Sequence, residues 1–171
     1  MAKLFREHQI ATAPTTATIT IRVPLEADVA ALTAIVNENA RAGHLLPRSE
    51  ASIRASLPDW LIAEVDGVVV GCGSLLLMGP QLVEVRSLAV LPSYQSYGIG
   101  AKIVSALVGE ARRRGYTTAF ALTRAVNFFL KLGFTITSKE RFPEKVWRDC
   151  AICPLQMRCD ETAVALELTR G

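Results

Sequence analysis

The chain has 171 residues, half of them hydrophobic, enough for one core of its own and too few to require a second domain. Its formal charge of +3 is spread along the sequence with no long block of one sign, which leaves neither nucleic acid nor an anionic membrane surface a footprint to bind. The first residues lack the apolar stretch of a signal peptide and no uninterrupted apolar run reaches membrane-spanning length, so the expected location is cytoplasmic, where cysteines are free, buried or metal-bound rather than paired.

Residues 1–17 carry neither a helical nor a strand period and are rich in threonine and alanine, which predicts a mobile leader ahead of a single domain at 18–171. There TITIRV alternates as a strand does, and residues 26–41 set Val29, Leu32, Ile35 and Val36 on one helical stripe ending before Gly43. HLLPRS is a loop, after which Ser49 caps a short helix carrying Ile53 and Leu57 that Pro58 stops. WLIAEV and VVVGCGSLLLM flank Asp66-Gly67, a strong hairpin signal, and predict two antiparallel strands. A turn at Met78-Gly79-Pro80 leads into a further strand, LVEVRSLAV. From Gly100, the residues Ile103, Val104, Leu107, Val108 and Ala111 keep helical spacing as far as Gly115, and Arg112, Arg113 and Arg114 close that helix where cations complement its dipole. TAFALT reads as a buried strand, AVNFFLKL as a short helix closed by Gly133, and FTIT and AVALEL as strands separated by the irregular stretch KERFPEKVWRDCAICPLQMRCDE.

Between LVEVRSLAV and the helix from Gly100 lies LPSYQSYGIG. Glycines there let backbone approach a ligand closely, and the free N–H groups of the helix's first turn face whatever sits at its end; the usual guest is phosphate. The spacing is that of neither common nucleotide loop.

Taken with Glu84, Leu88-Ala89-Val90 and Gln95-Ser96-Tyr97-Gly98-Ile99-Gly100, this loop resembles the pyrophosphate loop of the GNAT superfamily of acetyl-CoA-dependent N-acetyltransferases, [QR]-x-x-G-x-[GA] directly after such a strand. The order β-α-α-β-β-β-α-β-α-β, the GVVVGC of the hairpin and the LGF after the short helix extend the likeness from about residue 18 to the end. The resemblance implies an α/β (α+β) fold: a mixed, mostly antiparallel sheet of six or seven strands flanked by about four helices, with splayed central strands holding acetyl-CoA. It implies that Leu88, Ala89 and Val90 pair with the pantetheine arm and that Gln95, Ser96, Tyr97, Gly98, Ile99 and Gly100 hold the pyrophosphate, with Asn127 a further contact to the cofactor. A homodimer through the last strands is the default the superfamily suggests.

Acetyl transfer needs a neutral amine, a polarised thioester carbonyl and a stable leaving thiolate. Thiols ionise near pH ~8.5, so the demand falls on a base that takes the proton from an ammonium. Glu84 occupies the position where many GNAT enzymes carry that glutamate, and a backbone N–H of Leu88 or Ala89 is a candidate oxyanion donor. Phe129 stands where many relatives have a tyrosine acid, which leaves Tyr94, Tyr97, Ser87 or solvent to serve the leaving sulfur.

HLLPRS, DGVVVGCGSL, VEVRSLAVLPSYQSYGIG and ALT with an aromatic pair and LGF resemble, in that order, the acetyltransferase domain of N-acetylglutamate synthases, which open arginine biosynthesis. That resemblance implies L-glutamate as the amine substrate. A dicarboxylate suits two guanidinium forks, and Arg48, in a substrate-side loop, and Arg86, two residues beyond Glu84 on the same strand face, are the candidates. Another amine, such as a protein N-terminus, a polyamine or an antibiotic, is the alternative, as is a module that senses acyl-CoA or metal without turnover. Lys145 and Arg148 are expected to border the pocket. Finally, Cys150-x-x-Cys153 with Cys159 reads as a partial zinc site, a redox-sensitive dithiol or plain packing, while Cys72, in an apolar strand, reads as core.

Overall fold

The computed structural model describes residues 17–154 and 158–169. Seven strands, β1 (Ile19–Arg22), β2 (Trp60–Val65), β3 (Val68–Leu77), β4 (Leu82–Val90), β5 (Thr118–Thr123), β6 (Thr135–Thr137) and β7 (Thr162–Glu167), form one sheet in the order β1-β2-β3-β4-β5-β7-β6. Every neighbouring pair is antiparallel except β4 with β5. Among the described residues four helices of six residues or more, α1 (Val29–Arg41), α2 (Glu50–Ala55), α3 (Ile99–Arg113) and α4 (Val126–Lys131), accompany it. The mixed, mostly antiparallel sheet of seven strands is the one the resemblance implies, and a fifth short helical segment adds to the four helices expected. The leader read at 1–17 lies, except for Ala17, outside the described residues. No described helix is long and apolar enough to cross a membrane.

Strand alternation divides the core into two faces. Ile62 and Cys72 pack with Val29, Leu32, Ile35 and Val36 of α1 and Ile53 of α2, whereas Ala63 and Val70 pack with Ile103, Val104 and Leu107 of α3. A one-residue register slip would exchange these two sets, so the pairing is fixed by what each face buries. The hairpin turn has Asp66 at φ 50° and Gly67 at φ 79°, both left-handed, as the two-residue turn that matches strand twist requires. On β3, a Cβ added to Gly71 would stand 3.0 Å from the Ala89 carbonyl oxygen and 3.1 Å from Ile103 Cδ1. The absent side chain lets β4 and α3 close on the centre of the sheet.

β4 and β5 share only three register pairs, Leu82 with Thr118, Val83 with Ala119 and Glu84 with Phe120. Past Glu84 the strands part: β4 stays with β3, and β5 stays with β7. A wedge therefore opens at the middle of the sheet, with Glu84 at its apex.

The stretch after β6, read from the sequence as irregular, contains helical backbone: Pro143–Lys145 leads into a π-type turn, Val146–Cys150. Phe142, directly before it, is buried and stacks on Phe120 of β5 with ring centroids 3.9 Å apart and planes 9° from parallel. Phe142 thus docks this segment against the sheet beside Glu84, in a small core of Met78, Phe120, Ala163 and Ala165.

Candidate active site

The wedge between β4 and β5 continues into a cavity of about 700 Å³. Leu88, Ala89, Val90, Gln95, Ser96, Gly98, Ile99 and Gly100 all line it, so eight residues assigned from the sequence to one cofactor share one surface. Tyr97 and Asn127 are exposed and are not among its lining residues; Phe128, next to Asn127, is.

The loop is shaped for an anion. Gln95 folds back, its Nε2 donating to the Val90 carbonyl at 3.0 Å, while Ser96 (φ 69°) and Gly98 (φ 77°) are left-handed. Such reversals turn successive N–H groups toward one concavity, and Gly98 is the N-cap of the 15-residue helix α3, whose dipole adds to the field. At Gly100 a Cβ would stand 3.4 Å from the Phe128 ring, so a side chain there would crowd the wall of the cavity. The residues fit a pyrophosphate held by amides in a chain with few cations to spare.

At the mouth of the wedge β4 carries a bulge. Arg86 pairs with Ser74 and Ala89 with Cys72, so Ser87 and Leu88 together oppose Gly73. Ser87 is left-handed at φ 56° although it is not glycine, and the Cys72 thiol donates to its carbonyl at 3.5 Å. A bulge re-aims side chains and leaves a ladder group unpaired, here at the two residues that line the groove next to Glu84. Cys72 is fully buried, as expected of core, and burial pushes its thiol up to about 12.

A second cavity, about 360 Å³, is lined by Glu84, Arg86, Arg48, Lys145 and Asp149. Arg86, Ser87, His44, Arg124 and Glu161 line both cavities, which therefore meet at the bulge. Glu84 is 3% exposed. Its Oε1 accepts from Lys145 Nζ at 2.7 Å, and the same ammonium reaches Asp149 Oδ2 at 2.8 Å. Arg86 donates to that Asp149 oxygen at 3.3 Å and stands 3.8 Å from Glu84 Oε2. Two cations and two carboxylates thus neutralise each other in a setting where an unpaired charge would be costly. Burial pushes the Glu84 carboxyl above its ordinary range, against the opposing pull of Lys145. Burial also disfavours the Lys145 ammonium, but Glu84 and Asp149 outweigh it and hold the pKa above its usual value.

Among the described residues two buried polar atoms in this cavity have no hydrogen-bond partner, Glu84 Oε2, with the Arg86 guanidinium 3.8 Å away, and Arg48 Nε. Buried polar groups are nearly always satisfied, so an acceptor and a donor without hydrogen bonds in one cavity mark a place where a ligand's own groups belong. Arg48 is held from behind: Asn37 of α1 accepts from its backbone N–H at 2.9 Å and donates to its carbonyl at 2.8 Å.

The remaining candidates fall into place around this network. Lys145 lines the smaller cavity, whereas Arg148 is exposed and lines neither. Phe129 is buried, edge-on to Phe128 and Phe134, and it lines the larger cavity together with Tyr94. The zinc expectation is not supported. Among the described residues no group of three or more His, Cys, Asp or Glu side chains is arranged to hold a metal, and Cys159 Sγ is in contact with the Lys139 ammonium at 3.2 Å, a neighbour that competes with a cation. Cys150, Cys153 and Cys159 nevertheless all line the smaller cavity.

Sequence reasoning missed the pairing of Lys145 with Glu84 and of Asp149 with Lys145 and Arg86, the clamp from Asn37, and Glu161. Proline followed by glutamate at Pro143-Glu144 signals a helix start, and Lys145 and Asp149 have the spacing of neighbours on one helix face. Nothing local marks Glu161, whose carboxyl is raised by burial at the junction of the two cavities.

The model of the Acetyltransferase (GNAT) family matches residues 29–134. An uncharacterized N-acetyltransferase of Chlorobaculum tepidum, CT2212, is 37% identical over 142 residues, 83% of this chain and 92% of that protein. The amino-acid acetyltransferase of Shewanella oneidensis is 30% identical over 120 residues, 69% of this chain but only 27% of its own length. Among solved structures, N-acetylglutamate synthase from Neisseria gonorrhoeae, complexed with coenzyme A and N-acetyl-glutamate, superposes with a TM-score of 0.78 at 25% identity, over 90% of this chain and 36% of that one. Rv2747 from Mycobacterium tuberculosis, in complex with CoA, has a TM-score of 0.74 at 27% identity, covering 88% of this chain and 99% of its own.

Proposed function

The chain belongs to the GNAT family of acetyltransferases, and on that premise we propose that this acetyl-CoA-dependent N-acetyltransferase acetylates the α-amine of a small anionic amino acid, L-glutamate. The observation that carries the proposal is the pair of buried atoms without a hydrogen-bond partner, Arg48 Nε and Glu84 Oε2, in one cavity that opens on the coenzyme groove. A carboxylate satisfies the first and an amine the second. The likeness to amino-acid acetyltransferases and to a synthase complexed with N-acetyl-glutamate supports the same choice.

Acetyl-CoA supplies the activated acetyl group as a thioester. The left-handed Ser96 and Gly98, with the first turn of α3, hold its pyrophosphate through backbone amides, and Leu88 to Val90 give its pantetheine arm a strand edge along the wedge. Arg48 takes one carboxylate of the acceptor. Arg86 supplies the second guanidinium, exchanging Asp149 for the incoming carboxylate. Lys145 fixes Glu84 through Oε1 and leaves Oε2 to accept the ammonium proton, and burial makes that carboxylate a stronger base than an exposed one. A backbone N–H of Leu88 or Ala89, beside the bulge, is the donor for the developing oxyanion. The thiolate departs beside Tyr94 and Ser87, in place of the tyrosine that Phe129 replaces.

Thiol release from acetyl-CoA is the assay, run against glutamate, other amino acids, spermidine and a peptide N-terminus. Glutamate-dependent turnover with N-acetylglutamate as product is the expected result; turnover with spermidine or peptide and none with glutamate overturns the assignment.

A further inference from the structure

We propose that Cys159, together with one thiol of the Cys150/Cys153 turn, is a peroxide-responsive dithiol site whose disulfide closes the acceptor cavity and leaves the coenzyme groove open. This rests on the reading of the 360 Å³ cavity as the acceptor pocket.

Three of the four cysteines of the chain line that one cavity, and none lines the larger one. They are free thiols with distinct settings. Cys159 is exposed, and the Lys139 ammonium touches its sulfur at 3.2 Å. The thiolate is the form that attacks, and Cys159 is the one of the three that is exposed to an oxidant in solvent. Cys150 and Cys153 are half-buried and share one turn, closed by the Cys153 N–H donating to the Cys150 carbonyl at 3.2 Å. Burial raises the Cys150 thiol, which suits a second, resolving step rather than the first attack. Cys159 and Cys150 line the same cavity, so the two sulfurs belong to one neighbourhood.

The chemistry balances with hydrogen peroxide as the oxidant. The Cys159 thiolate attacks one peroxide oxygen, the O–O bond breaks, hydroxide leaves and a sulfenic acid remains. A thiol of the turn then attacks that sulfur, the S–O bond breaks, and the second oxygen departs as water once the thiol proton is accounted for. Two thiols lose two electrons in all, and the peroxide is reduced to two waters.

The consequence is local to the acceptor side. Cys150 directly follows Asp149, whose carboxylate holds both Lys145 and Arg86. A covalent tie from this turn to Cys159 moves the end of the network that positions Glu84. Glu161, two residues beyond Cys159, lies at the passage between the cavities.

The test treats the fully reduced protein with hydrogen peroxide and follows three readouts: peptide mass mapping, coenzyme A affinity, and kcat/KM for the acceptor. The expected result is a mass loss of about 2 Da with a Cys159-containing cross-linked peptide. With it, acceptor kcat/KM falls about tenfold or more while the coenzyme A Kd changes less than about twofold, and dithiothreitol reverses both changes. Cys159→Ser keeps, through the treatment, the activity with which it entered. Absence of any disulfide containing Cys159, equal inactivation of Cys159→Ser, or a formed disulfide with unchanged turnover overturns the inference. A wrong acceptor assignment shows separately, as missing turnover in the reduced protein before oxidant is added, and mass mapping then still reports the bond.

Discussion

Glu84 is gripped on one oxygen only. Lys145 holds Oε1 at 2.7 Å, whereas Oε2 is buried without a hydrogen bond, so the side chain is oriented and still able to receive a proton. Because burial raises its pKa, the protonated, inactive form persists to a higher pH than for an exposed glutamate, and the acid limb of kcat/KM should lie above the ordinary value of 4.5. Activity is then present above the raised pKa and is lost as pH falls through it. Glu84→Gln keeps the shape and removes the base; its kcat at neutral pH should drop by about 10²-fold or more, with the acid limb abolished rather than moved. A profile in Glu84→Gln that keeps both its height and its acid limb would assign the base elsewhere, and Glu161 would be the next carboxylate to substitute.

At the scale of elements, the segment from Phe142 to Cys150 decides how that base is held. It has little helical length of its own, and short helices are not stable by propensity; its position comes from the Phe142 ring stacked on Phe120 and from the ion pairs of Lys145 and Asp149. Truncating a buried aromatic costs about 3–5 kcal/mol. Phe142→Ala should therefore lower the thermal midpoint, and at temperatures where it remains folded it should lose turnover while retaining coenzyme A affinity, since the groove is built by β4 and α3. Phe142→Leu should recover part of both losses. Full turnover in folded Phe142→Ala would show that the segment holds Lys145 without this anchor. The same segment marks where sequence patterns stop being informative. The strands and the longer helices repeat a period over enough residues to be read, and Asp66-Gly67 names its own turn. By contrast, Pro143-Glu144 is a weak start signal, and the pairing that matters crosses 61 positions from Glu84 to Lys145, which no local pattern encodes. The bulge was equally illegible: Ser87, a non-glycine, takes the left-handed conformation because the ladder with β3 requires it.

Across the whole molecule, the parting of β4 from β5 separates two tasks. The coenzyme side is backbone: amides of a glycine-bearing loop, a helix end and a strand edge, all visible in the sequence because glycines and element boundaries leave marks. The acceptor side is side chains drawn from the loop after α1, from β4, from the segment after β6 and from the approach to β7. Sequence reading found Glu84, Arg86 and Arg48 there but left Arg86 facing only a substrate, whereas Asp149 already occupies it at 3.3 Å. Arg48 is thereby left as the guanidinium with an unsatisfied buried nitrogen, held in place by Asn37. Glutamate recognition through Arg48 is most directly tested by kcat/KM for glutamate in Arg48→Ala against the parent, at saturating acetyl-CoA. Loss of a buried charge-assisted contact costs about 2–3 kcal/mol, so a fall of about 30- to 150-fold, carried mainly by KM and with unchanged acetyl-CoA affinity, is the predicted result. An unchanged kcat/KM for glutamate would contradict it.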